Sequence, residues 1–172
     1  MGDRTNLTLR LISSDADIRG AARELFENYS GGDHFEDTDE DSNLNLGAND
    51  VSCGSASELD FDLAQLIHER GSEFAYQVHE DPAYEWLGQV CIHVPGLLPD
   101  LTAECDADGS PVLTTTTVTS ALAIADDAAM REFLMLQSGQ THRDAMVEYA
   151  TNHTGATVAP DVSPANGEDD ER

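Results

Sequence analysis

The sequence predicts an α+β domain with an antiparallel sheet, helices packed mainly on one face. Three observations carry the prediction. The segment TNLTLRLIS alternates Leu7, Leu9 and Leu11 with Thr8 and Arg10, the period of two of a half-buried strand, and leads directly into a helical stripe. Four apolar runs then follow one another over residues 73–122, with turn-forming stretches between them. Helical spacing returns from Ile124 onward.

The first helix is expected to start at Ser14 as N-cap, with Asp17 three residues on, and to run to about Tyr29. Ile18, Ala21, Ala22, Leu25, Phe26 and Tyr29 fall on one stripe at i, i+3, i+4, i+7, i+8 and i+11. Residues 30–57 lack sustained periodicity and are rich in Gly, Asp, Asn and Ser, so they read as an acidic loop or insertion. Short strands at Leu44 to Leu46 or Val51 to Cys53 are the alternative there. A second helix is expected from Ser57 or Asp60 to Arg70, burying Leu59, Leu63, Leu66 and Ile67 and stopping at Gly71.

The four apolar runs, EFAYQVH, EWLGQVCIHV, LTAEC and PVLTTTTVTSAL, are separated by DPAY, PGLLPD and DADGS. Short connections make sequential strands neighbours, so they are expected to form a meander. A helix from Ile124 to Gln137 and another from Thr141 to near Gly155 complete a domain spanning residues 1–155. Residues 156–172, with two prolines and a terminal EDDER, read as a disordered acidic tail. A strand-helix unit followed by a meander and helices makes a ferredoxin-like arrangement the nearest expected topology.

Composition speaks of solvent. The chain has 172 residues, 34 carboxylates, eight arginines and no lysine, for a net charge of -26. Like charges a few ångströms apart in water repel by roughly 1 kcal/mol per pair. In molar salt the Debye length shrinks to about 3 Å, which screens that repulsion while carboxylates hold water and loosely bound salt cations. With 40% hydrophobic residues in periodic segments the chain is globular, and a salt-adapted protein is expected. Three scattered cysteines, and a first segment without a basic and apolar leader, point to a reducing cytoplasm. No apolar run approaches the roughly 18 residues of a membrane span. No basic stripe suited to nucleic acid is present.

Chemistry concentrates in the hairpin holding Cys91, His93, Glu104 and Cys105. If Val94 pairs with Leu101, then Cys91, His93 and Glu104 share one face; a one-residue slip would set Cys91 against Cys105 and suggest a zinc cluster with His93. Cys-x-His supplies two ligands and lacks a CxxC partner, so buried structural cysteines are the preferred reading and no metal or cofactor is expected. The turn DPAY places His79 opposite Leu87 or Gly88, away from a Cys91 dyad. The stretch ECDADG resembles half a calcium loop, but its twelfth position is Thr115, so a hairpin turn is expected. The motifs GxSxG, HExxH and Walker A do not occur.

Two function classes follow. One is a non-enzymatic interaction or regulatory module that binds a protein partner or self-associates, with Arg19, Arg23 and Tyr84 as contact residues and Trp86 in the core. The other is a metal-binding protein or hydrolase-type enzyme using Cys91, His93 and Glu104. A structural protein of a virus or mobile element is a third reading. The first ranks highest because the second lacks a third convincing catalytic group. Acidity is also uneven: residues 31–62 hold ten acids and no base, whereas the first thirty balance to -1, which points to Arg10, Arg19 and Arg23 as the least acidic ground.

Overall fold

In the computed structural model, residues 4–31, 34–37, 42–83 and 86–154 are described. Strand β1 (Arg4–Ile12) turns Leu7, Leu9 and Leu11 inward as its alternation requires. Helix α1 (Ala16–Ser30) follows, one residue later than expected. Its N-cap is Asp15, whose carboxylate accepts from the backbone N–H groups of Asp17 at 2.8 Å and Ile18 at 3.4 Å. Ile18, Ala22 and Phe26 are buried, with Ala21, Leu25 and Tyr29 packed beside them.

The acidic insertion expected over 30–57 is instead largely sheet, in β2 (His34–Asp37) and the ten-residue β3 (Asn43–Ser52). Asn, Gly and Asp disfavour strands intrinsically, but Leu44, Leu46, Ala48 and Val51 gain burial against β1, and that tertiary gain outweighs propensity. A bulge opposite Asn6 lets Asn49 and Asp50 occupy one step of the ladder, with Asp50 at φ 60°.

Helix α2 (Ser55–Arg70) starts two residues before the earliest expected position. The next strands are β4 (Ala75–Glu80), β5 (Gly88–His93) and β6 (Leu101–Cys105). The fourth strand expected in PVLTTTTVTSAL is helix α3 (Thr115–Leu122). Its Thr and Val content favours strand, yet the chain touches β6 only at the Cys105–Pro111 bridge before Thr114 caps the new helix by accepting from the N–H of Thr117 at 3.1 Å. Helices α4 (Asp127–Gln137) and α5 (Gln140–Thr154) end the described chain.

The six strands form one antiparallel sheet in the order β2-β3-β1-β4-β5-β6. Strands β3 and β4 run parallel on either side of β1 and are joined through α2, a split β-α-β step. A ferredoxin-like sheet has two such steps. The other is present as well: β1 and β2 run parallel on either side of β3 and are joined through α1, and β5 and β6 extend the sheet beyond β4.

Helices α1 and α2 cover one face, packing Phe26, Leu59 and Leu63 on Leu7, Leu9, Leu46, Tyr76 and Val78. Helix α5 lies on the other face, where Met146 and Ala150 meet Ile12, Ala75, Val90, Ile92 and Cys105. His142, buried on α5, donates from Nε2 to the Pro99 carbonyl at 2.8 Å and ties the helix to the β5–β6 loop. Among the described residues no helix is long and apolar enough to cross a membrane.

Candidate partner-binding surfaces

The β5–β6 register differs from both expected ones. Ile92 pairs with Leu101, Cys91 with Thr102, Gln89 with Glu104 and Gly88 with Cys105. The loop closes more loosely than Val94–Leu101 pairing would require, since Val94 is used in a turn as acceptor of the Leu97 N–H at 3.0 Å. This two-residue shift from the first register preserves face parity, so Cys91, His93 and Glu104 share a face. Cys105 falls on the opposite face with Val90 and Ile92, which separates it from Cys91 and His93 and removes the geometry of a Cys91, His93, Cys105 cluster. Among the described residues no group of three His, Cys, Asp or Glu side chains is placed to hold a metal ion. His79 stands opposite Val90 rather than Leu87 or Gly88, on the face away from Cys91.

Cys91 is fully buried, and burial, followed by the charge of Asp60, pushes its thiol up to about 12. It is therefore a neutral core side chain at neutral pH, without the thiolate that nucleophilic chemistry needs. Cys105 is also raised to about 12, first by burial and then by Asp106. His93 stacks on Tyr76 with ring centroids 5.3 Å apart, and its Nδ1 donates to the Asp100 carboxylate at 2.9 Å. Tyr76 donates its hydroxyl to Asp60 Oδ1 at 3.0 Å, and burial raises the Asp60 carboxyl above its ordinary value. Each member of this cluster is oriented by another, which makes it a satisfied polar seam between α2 and the sheet.

The expected contact residues are placed unevenly. Arg19 turns back to donate from Nη1 to the Ser13 carbonyl at 2.6 Å, fastening the β1–α1 junction, and Arg23 is half-buried on α1. Tyr84 lies outside the described residues. Trp86, expected in the core, is 64% exposed, and Leu87 beside it is 49% exposed. The reason is where the strand begins. β5 starts at Gly88, so Trp86 belongs to the connection, bridged to Ala83, and not to the alternation of Val90 and Ile92. Gly88 enforces this because a Cβ there would stand 2.3 Å from the Glu80 carbonyl oxygen.

Trp86 and Leu87 border a cleft of about 530 Å³ at the N-terminal end of α2. The β3–α2 turn (Ser52, Cys53, Gly54) forms one wall, and Gln89 and Glu104 of the last two strands form the other. The turn is held by Glu80, a buried carboxylate that accepts from the N–H groups of Gly54 at 2.8 Å and Ala56 at 2.9 Å. Gly54, at φ 93°, has no side chain to cap α2, so a strand residue does it from across the cleft. Ser57 donates to Gln89 Oε1 at 2.6 Å and pins the opposite wall. The cleft thus combines exposed apolar surface with a rigid polar frame, and Glu104 is the one early candidate that lines it.

Sequence reasoning missed Trp86, Leu87 and the capping role of Glu80. Pro82 and Gly88 bracketing the Trp-Leu pair were the available signal that the strand starts late. No family model matches this chain, and no curated protein and no solved structure matches it.

Proposed function

We propose that this protein is a non-enzymatic interaction module that binds a protein partner at the Trp86–Leu87 cleft, in a saline cytoplasm. The observation that supports it is the exposure of an indole and a neighbouring leucine beside a concave site of about 530 Å³. Trp presents a large apolar area with a polar edge, and such residues dominate binding energy at protein interfaces. A chain carrying a charge of -26 meets long-range repulsion from other acidic proteins, so apolar contact screened by salt is a natural recognition mode. The uncharged Cys91 thiol, fixed in the core, favours this reading over a Cys-His hydrolase.

The test compares capture from lysate in molar KCl by the wild-type chain and by the variant Trp86→Ala combined with Leu87→Ser. Loss of a captured protein in the variant, with an unchanged melting temperature, is the expected result. Equal capture by both proteins would remove the cleft from consideration.

A further inference from the structure

On the face of the sheet that carries α5, part of the surface is left open. The helix covers the row of Ile12 and Ala75, and the next rows are set by the antiparallel register. Asn45, Arg10 and Gln77 stand side by side on β3, β1 and β4, and Thr8 and His79 form the row after them. Directly opposed side chains lie about 4.5–5.5 Å apart, so the first row spans on the order of 10 Å. None of these five residues is a carboxylate, and the first row continues past Asn45 to Asp37 at β2. Asp81, one row further, already accepts from Asn6 Nδ2 at 2.9 Å and lies 3.7 Å from His79 Nε2.

Arg10 is half-buried at the centre of this ground. Among the described residues its guanidinium has no hydrogen-bond or ion-pair partner, although the chain holds 34 carboxylates for eight arginines. Arg4, Arg19 and Arg143 each donate to a backbone carbonyl, so the side chain of Arg10 is unlike theirs. A partly desolvated guanidinium favours a bidentate carboxylate, and amides on either side can bond the peptide groups flanking it.

We propose that the Arg10 face docks an acidic segment of a protein partner, one carboxylate seating on Arg10 and the adjoining backbone on Asn45 and Gln77. Charge decides the class of ligand. One arginine inside a chain of -26 cannot offset the repulsion of a nucleic-acid backbone, which needs several cationic contacts. A short carboxylate-bearing segment needs only one, and a contact pair survives at a Debye length of about 3 Å while repulsion between the bodies is screened. The face is on the opposite side of the sheet from the Trp86 cleft and does not depend on that site, so the two can fail separately.

The probe is a fluorescein-labelled peptide alternating Glu with Gly, titrated with the full chain in molar KCl and followed by anisotropy. Saturable binding is expected, weakened roughly tenfold to a hundredfold in Arg10→Gln and less in Arg10→Lys, which keeps the charge without the fork. Arg131→Gln on α4 and a Gln-Gly peptide serve as controls; the first should bind as wild type and the second not at all. Equal affinity in wild type and both Arg10 variants overturns the proposal, as does absence of binding. Loss of a dimer in light scattering on Arg10→Gln, without peptide binding, assigns the face to a second copy and also overturns it. Changed NMR signals of residues 168–171 in that variant, again without peptide binding, assign it to the chain's own acidic end, with the same consequence.

Discussion

Helices α1 and α2 and the pair α3–α4 have similar apolar spacing in sequence but different relations to the rest of the molecule. The first two bury Ile18, Ala22, Phe26, Leu59, Leu63 and Leu66 against the sheet. In α4 no residue is buried: Met130, Phe133, Leu134 and Leu136 are half-covered, and Met135 is 44% exposed. In α3 only Ala121 is buried, while Leu122 is 74% exposed. An apolar stripe reports that a helix has a face to cover, and the topology decides whether anything covers it. The two regions also differ in how their ends are satisfied. Thr114 and Asp126 cap α3 and α4 from the residue next door, whereas α2 depends on Glu80 reaching from β4.

The largest expected effect tests the difference in burial. Leu63→Ala removes a fully buried side chain between α2 and the sheet and should cost about 2–5 kcal/mol. Leu134→Ala removes a half-covered side chain from α4, whose surroundings are already partly solvent, and should cost about 1 kcal/mol or less. Chemical denaturation of both variants in the same molar salt measures the contrast. Equal losses would show that the α3–α4 arm is as tightly integrated as the main layer.

The capping contrast predicts an intermediate effect. Glu80→Ala leaves the buried N–H of Ala56 and the part-buried N–H of Gly54 without their acceptor, at a cost of about 1–3 kcal/mol. Glu80→Gln keeps one acceptor oxygen but turns an amide donor toward a donor, so it should recover part of that loss. Amide exchange at Ala56 should accelerate in both variants. Unchanged exchange there would mean that α2 does not need a cap from the sheet.

Several elements were legible because local pattern and tertiary placement agree. The Leu7, Leu9, Leu11 alternation and the stripe of Ile18, Ala22 and Phe26 are of this kind, and so is the stop of α2 at Gly71. Where the two disagree, local reading fails. β3 forms from Asn, Gly and Asp because β1 supplies a partner, and the Thr-rich run becomes α3 because the chain leaves the sheet at Pro111. The cleft was hidden for a different reason. Gly54, Glu80 and Glu104 lie 24 to 50 residues apart, and only the strand register brings them to one place. The shared face of Cys91, His93 and Glu104 was readable because any even shift of register preserves it, while the identity of the opposed residues was not.

The smallest effect concerns the arm itself. Asp126 accepts from the Ala129 N–H at 2.8 Å at the start of α4, an exposed cap that should contribute about 1 kcal/mol. In a helix with a buried face, loss of a cap is added to the stability of the whole domain. In α4, which packs on α3 and α5 without a buried residue of its own, Asp126→Ala should instead act locally. Exchange should rise for the amides of α3 and α4, while the amides of β1 and β4 keep their protection and the denaturation midpoint moves little. A uniform loss of protection across the sheet would break the comparison, because it would make the arm and the main layer a single cooperative unit despite their unequal burial.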